Sequence, residues 1–161
     1  MANIDVTKQE TIEPIPASGS FKRELTIDFE DISGAGTYAD NDTATFTIQV
    51  FAGELVKDVA VVAVTDFDDS GSGDELNVTV GDGADADGYI ASAQLHADDT
   101  PITYVANTGA LLDNENGKVY TADDTIDILL TPNVSTGTDY SLNELTQGKF
   151  VVKVWGLDLT K

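Results

Sequence analysis

The sequence predicts an all-β protein: an antiparallel β-sandwich or jelly-roll-like domain of about eight strands. Apolar and polar residues alternate in several short segments, which is typical of strands with one buried face. These segments recur roughly every 10 to 20 residues between clusters of Asp, Asn, Gly and Ser. The chain is also rich in Val, Thr, Asp and Gly, which favour strands and turns, and it contains no long amphipathic helical pattern.

The 161 residues suit a single β-sandwich domain over residues 21–161, preceded by an extended N-terminal arm over residues 1–20. Pro14 and Pro16 exclude a helix through the arm. Its apolar side chains are Ile4, Val6, Ile12 and Ile15. Two interpretations stand: a frayed end or edge strand of the same chain, or an arm that docks on a neighbouring subunit.

In chain order, the predicted strands cover residues 21–29, 44–51, 59–64, 76–80, 101–105, 118–121, 125–130 and 149–159. The segments 59–64 and 76–80 are predicted to pair as a hairpin, with an acidic, Gly-rich turn after each. Residues 89–95 suit either a strand or a short helix. Ser141 and Glu144 have capping-box spacing, which predicts one helical turn closed by Gln147 and Gly148.

The chain is strongly acidic, with 29 acids, 8 bases and a formal charge of −21. Such a surface repels phosphate backbones and anionic lipids, so we expect no nucleic-acid or membrane partner. We interpret the charge as a means of staying soluble at high local concentration. The bases are concentrated towards the two ends of the chain, which predicts one acidic and one near-neutral face if the termini lie together.

The absence of cysteine excludes disulfides and thiolate metal sites, and favours assembly in a reducing cytosol. The first residues do not have the composition of a secretory signal. No segment reaches the ~20 apolar residues that a spanning helix needs.

One acidic segment, residues 66–71, resembles the opening of a calcium loop. The bidentate carboxylate that such a loop requires is missing, because Asn77 stands in its place. We therefore interpret these residues as turn-forming and predict no metal or cofactor. A non-standard calcium site that uses Asp66, Asp68 and Ser70 is the alternative.

No catalytic residues can be assigned. His96 is the only histidine and has no nucleophile motif to serve. The Gly-rich segment 81–88 lacks the Lys and Ser/Thr of a phosphate loop, and its carboxylates would repel a phosphate. We therefore expect a protein that is not an enzyme.

The segments 61–71, 76–92, 118–127 and 145–152 resemble small virion proteins of tailed bacteriophages. The resemblance extends over roughly residues 56–155 and leaves out the N-terminal arm. It implies a non-enzymatic decoration or cement protein that binds the outer surface of the capsid in the virion.

On this reading the partner is the major capsid protein, with self-association as a trimer or dimer on the shell. The residues predicted to contact a partner are Ile4, Val6, Ile12, Ile15, Lys22 and Arg23. The alternative function is a calcium-assisted carbohydrate-binding or adhesion module of a phage fibre.

Overall fold

A computed structural model of the protein describes residues 2–6, 8, 11–12, 19–69, 75–97, 104–112, 117–133 and 141–161. The strands are β1 (Asn3–Val6), β2 (Thr11–Ile12), β3 (Ser20–Asp28), β4 (Thr43–Val50), β5 (Glu54–Asp69), β6 (Glu75–Asp82), β7 (Asp85–Ala97), β8 (Tyr104–Ala106), β9 (Lys118–Val119), β10 (Asp124–Asn133) and β11 (Leu145–Asp158). One α-helix, α1 (Phe29–Gly34), and the 3₁₀ helices Ala110–Leu112 and Leu142–Glu144 complete the described elements. None of the helices in these ranges is long and apolar enough to span a membrane.

The strands form two sheets. The first sheet has the order β1-β4-β10-β6-β7, and the second has the order β2-β3-β11-β5-β8, with β9 also paired to β5. Apart from the short strands β1, β2 and β9, this is the strand order of a jelly roll, two interleaved Greek keys. The predicted all-β sandwich is confirmed. One pairing departs from the antiparallel prediction, because β1 runs parallel to β4.

The core lies between the sheets and is built by alternate residues of the long strands. As predicted, the fully buried side chains include Ala44, Phe46, Ile48, Val50, Ile126, Ile128, Leu130, Phe150, Val152 and Val154. Because these side chains point inward, the residues between them in each strand point to solvent.

The predicted hairpin between residues 59–64 and 76–80 is wrong, because these segments lie in opposite sheets. Strand β5 pairs with β11, β8 and β9, whereas β6 pairs with β10 and β7. Alternation identifies a strand and its buried face but carries no information on which sheet it joins. Asp66 and Asp68 lie on strand β5, with Phe67 buried between them, and Ser70 lies outside the described residues.

The hairpin that includes β6 is instead the one formed with β7, through a turn at Gly83 and Ala84. The segment 81–88 therefore makes the turn expected of it, although most of it belongs to the strands. The ambiguous residues 89–95 are part of β7. Of the predicted strand 101–105, residues 101–103 lie outside the described ranges.

Two helical details also differ from expectation. Ser141 does cap a helical turn, accepting a hydrogen bond from Asn143 N, but Gln147 and Gly148 do not close it because β11 begins at Leu145. The sequence analysis missed α1, which starts from a reciprocal cap. Asp28 accepts from Asp31 N, and Asp31 accepts from Asp28 N.

Candidate contact surfaces

The start of the N-terminal arm lies on its own chain. Strand β1 runs along the edge strand β4, where Thr43 N donates to Ala2 O over 2.8 Å. The side-chain oxygen of Asn3 accepts from the hydroxyls of Thr43 and Thr45 at 3.0 and 2.9 Å. Ile4 and Val6 are partly buried against the core. The edge-strand interpretation therefore describes residues 3–6.

The second described strand of the arm, β2, lies in the other sheet from β1. Ile12 lies in β2 at the edge of the second sheet, at the register position of Arg23. Ile15 lies outside the described residues. Lys8 forms an ion pair with Asp31 of α1. The part of the arm that the structure describes thus spans both sheets of its own chain.

Arg23 is a core residue. Its side chain is 1% exposed, and its two terminal nitrogens lie 2.7 and 2.6 Å from the carboxylate oxygens of Glu54. The guanidinium also lies 4.5 Å from the ring centre of Phe21 and 5.3 Å from that of Phe51. The prediction that Arg23 contacts a partner is corrected, because its charged group faces the interior.

Lys22, the other predicted basic contact, points outward from the second sheet. We call this surface the outer face: the outward side chains of β3, β11, β5, β8 and β9. The register places Tyr104, Val62 and Val151 side by side across three strands. At the opposite end, Val119, Leu55 and Leu157 form a similar row.

The apolar side chains of the outer face are Leu55, Val62, Val64, Tyr104, Val119, Val151, Trp155 and Leu157. Its charged side chains are Lys22, Glu24, Asp28, Asp58, Asp66, Asp68, Lys149 and Lys153, and the exposed Lys57 lies at a bulge beside Asp58. The outer face thus mixes eight apolar side chains with four lysines and five carboxylates.

A small ion-pair network lies at the centre of the outer face. Lys22 and Lys153 approach the same oxygen of Glu24, at 2.6 and 3.2 Å. The hydrogen bond from Lys22, together with that from Lys153, lowers the pKa of Glu24 despite some desolvation. Lys149 lies 4.0 Å from Asp28. Two lysines therefore approach one carboxylate in this network.

The first sheet has the opposite character, because none of its five strands contains a lysine or arginine. Its carboxylates are Asp5, Glu75, Asp82, Asp85, Asp87, Asp124 and Asp127. The outward positions of β4 are Thr43, Thr45, Thr47 and Gln49. The first sheet is therefore the more acidic side of the sandwich, because the outer face of the second sheet has lysines beside its carboxylates.

A buried polar cluster of the first sheet is centred on Asp82. This carboxylate is 1% exposed and accepts hydrogen bonds from Lys118, from Tyr120 OH at 3.0 Å and from Ala84 N at 3.0 Å. The hydroxyl of Tyr120 lies 2.7 Å from that of Tyr89. Burial raises the pKa of both tyrosines.

The pKa of Asp82 is set by opposing effects. Burial raises it, but the hydrogen bonds from Lys118, Ala84 and Tyr120 outweigh burial and hold the pKa of Asp82 below its usual range. The cluster ties the β6–β7 turn to β9 and offers no open carboxylate. Across the described ranges, no group of three His, Cys, Asp or Glu side chains is placed to hold a metal ion.

The chain is similar in fold to chains of two phage capsid structures. One belongs to the capsid asymmetric unit of cyanophage Pam1, with a TM-score of 0.55 and 20% identity over 90% of this chain and 91% of that one. The other belongs to the capsid structure of Helicobacter pylori bacteriophage KHP30, with a TM-score of 0.51 and 14% identity over 94% and 93% of the two chains. No protein-family model and no curated protein matches the sequence.

The sequence analysis did not single out the outer face, although one signal for it was present. Lys149, Val151, Lys153 and Trp155 occupy the outward positions of the strongest predicted strand, so apolar and basic residues share that side. The contributions of β5 and β8 could not be found in the same way, because their place beside β11 depends on the sheet topology.

Proposed function

We propose that this chain is a non-enzymatic structural protein of a phage virion that binds the outer surface of the capsid and stabilises it, as decoration or cement proteins do. The observation that carries the proposal is the similarity in fold, over 90% and 94% of this chain, to chains of two phage capsid structures. The resemblance of the sequence to small virion proteins points the same way.

The arrangement of polar groups supports a structural role. The most buried charged side chains of the described residues satisfy one another: Arg23 pairs with Glu54, and Asp82 pairs with Lys118. These groups hold strands together and leave no activated nucleophile or open acid–base pair in the described ranges.

A cement protein works by contacting neighbouring shell subunits, so that separating those subunits also breaks its own contacts. The proposed partner is the major capsid protein, and self-association as a trimer or dimer would supply several contacts per particle. Individually weak contacts then suffice, because each one raises the effective concentration of the next. The acidic first sheet would face solvent and keep decorated particles apart by charge repulsion.

The test is to mix the purified protein with shells of the phage that encodes it and to locate it by cryo-electron microscopy. We expect co-sedimentation with assembled shells, density on their outer surface and a higher particle bursting temperature. Isolated capsid subunits are the control and should bind weakly. Density in a tail fibre, or no effect on bursting at saturating protein, would overturn the proposal.

A further inference from the structure

We propose that β1 is a removable cover on the edge of the first sheet, and that the edge it covers, on β4, pairs with β4 of a second copy of this chain when β1 is displaced. Strand β1 is then the device that controls this self-association, because the second copy can bind only where β1 has left.

Strand β1 covers the first half of the β4 edge, from Thr43 to Phe46. Thr43 N donates to Ala2 O over 2.8 Å, so the N–H group of Thr43 points to β1. Alternate residues of a strand direct their N–H groups to the same side, and Thr45 and Thr47 therefore share this edge. Without β1, the edge would present a row of backbone donors and acceptors to another strand.

The sequence of β4 suits pairing with another strand. Its eight residues, Thr43–Val50, include no charged residue, no proline and no glycine. Threonine, phenylalanine, isoleucine and valine, which favour strands, occupy six of the eight positions. A segment of this composition at an uncovered edge is prone to pair with other chains.

Strand β1 replaces this edge with one that is poorly suited to pairing. It has four residues, and its exposed Asp5 places a carboxylate at the new edge. Short edge strands and charged side chains are two means by which proteins prevent edge-to-edge association. The far edge of the sheet, on β7, is covered by the segment after β8, where Gly109 N donates to Tyr89 O at 3.0 Å. Both edges of the first sheet are therefore covered, and on the β4 side the cover is β1.

Strand β1 is also the element of the first sheet that is most readily displaced. It has four residues, whereas the other four strands of the sheet have eight or more. Besides its backbone pairing, the contacts that hold it are those of Asn3, the partial burial of Ile4 and Val6, and a hydrogen bond from Ala2 N to the Asp42 carboxylate. Segments with few buried apolar contacts open at a smaller free-energy cost than the core of a sheet.

Length and charge select β4 of a second copy as the occupant. The four outward side chains of β4 are uncharged, so two β4 strands can lie side by side without like charges opposite one another. The other long edge strand of the described ranges, β7, contains Asp85 and Asp87, and the edge strands β2, β8 and β9 have three residues or fewer. Pairing of β4 with its own copy is isologous, so association stops at a dimer.

The test displaces β1 in the whole chain. Ile4→Pro/Val6→Pro removes two backbone donors and two apolar side chains from β1, whereas the control Ile4→Val/Val6→Ile keeps them. Circular dichroism checks that each variant is folded. Sedimentation velocity is measured over a range of protein concentrations in moderate salt, which screens the net charge of −21. We expect the proline variant to shift towards dimer at concentrations where the wild type and the control do not.

A second measurement locates the contact. The chain has no cysteine, so Thr47→Cys introduces a single thiol at an exposed position near the middle of β4. Under mild oxidation in the proline background, we expect a disulfide between two chains, because antiparallel pairing brings the centres of the two β4 strands together. With β1 in place, much less of this disulfide should form. Thr47→Lys in the proline background should suppress the dimer, because it places a charge on the uncovered edge.

Asp42→Ala is the milder variant if the prolines prevent folding. It removes the acceptor of Ala2 N and leaves the sequence of β1 intact, so a smaller shift towards dimer is expected.

Three outcomes would overturn the inference. The first is a folded β1 variant, with the prolines or with Asp42→Ala, that associates no more than the control. The second is association without the Thr47→Cys disulfide, because the contact would then lie elsewhere. The third is a disulfide that forms equally well with β1 in place. None of these measurements uses capsid shells, so their outcome does not depend on the proposed function.

Discussion

Arg23 and Glu54 form a two-point ion pair inside the sandwich although their strands, β3 and β5, are separated by β11. The contact spans β11 near Gly156, where a Cβ atom would lie 2.4 Å from the Phe21 ring. Because Gly156 has no side chain there, Phe21 can fill the space and stack on the guanidinium. Glu54 also accepts from Phe51 N at 3.0 Å.

The first prediction concerns this pair. Arg23→Met should lower the free energy of unfolding by about 3–5 kcal/mol, because it leaves the Glu54 carboxylate buried without its counter-charge. Urea denaturation followed by fluorescence measures the change. The double variant Arg23→Met/Glu54→Leu should recover part of the loss. A single variant as stable as the wild type would mean that the Glu54 carboxylate reaches water at little cost.

The position of Arg23 illustrates what the sequence could and could not predict. Phe21, Leu25 and Ile27 alternate along β3, and Arg23 stands on their side of the strand. The alternation therefore indicated a buried arginine, but the charge and the neighbouring Lys22 favoured a surface interpretation. The partner, Glu54, is 31 residues away and could not be inferred, because nothing local in the sequence marks it as buried.

The fold class was predictable for a related reason. Alternation in segments such as 125–130 and 149–159 depends only on one face being buried, so it appears directly in the sequence. The assignment of β5 and β6 to different sheets depends on long-range pairing, which short segments do not encode. The outer face combines residues from five strands. Only the outward residues of β11 could therefore be identified from the sequence.

The second prediction concerns acid stability. The pKa of Asp82 is lowered in the folded protein, so its contribution to stability is present above the ordinary value of 3.8 and is lost as the pH falls through the folded-state value. Asp82→Asn should therefore be less stable than the wild type near neutral pH, and the difference should shrink below about pH 4. Thermal melting across this range measures it.

Asp85, in the same turn region, provides the control of opposite sign. Its hydrogen bond with Asp87 raises the pKa of Asp85, so the stabilising contribution is present at low pH and is lost as the pH rises through the raised value. The difference in stability between the wild type and Asp85→Asn should therefore not shrink as the pH falls. Equal pH profiles for the two variants would contradict the assignment of the Asp82 effect to its buried partners.

The third prediction concerns salt. Because the five strands of the first sheet contain carboxylates and no bases, their charges repel one another. Moderate salt should raise the melting temperature, since the Debye length falls from ~30 Å at 0.01 M to ~10 Å at 0.1 M. Melting in sodium chloride tests this. Stability that drops with added salt would mean that attractive ion pairs outweigh the repulsion.

The fourth prediction concerns calcium. Asp66 and Asp68 lie on strand β5, and the described residues contain no three-carboxylate group suited to a metal. We expect calcium to change the melting temperature little relative to EDTA. If a calcium site existed, calcium at 100 times the Kd of that site would stabilise the folded protein by about 2.7 kcal/mol. The melting temperature would then rise by several degrees. A shift of that size, abolished by Asp68→Ala, would establish the calcium site.

The last prediction concerns the N-terminal arm. Removing residues 1–16 takes away β1, whose Ile4 and Val6 pack on the core, so the truncated protein should remain folded but melt at a lower temperature. If the arm also docks on a neighbouring subunit, shell binding should weaken even at temperatures where the truncated protein is fully folded.

Removing residues 1–8 alone separates the two roles of the arm, because β2 and both prolines are retained. Binding that falls only with the longer deletion would assign docking to the segment that contains Ile12 and Ile15. Unchanged binding by both would limit the described part of the arm to covering β4 and extending the edge of the second sheet.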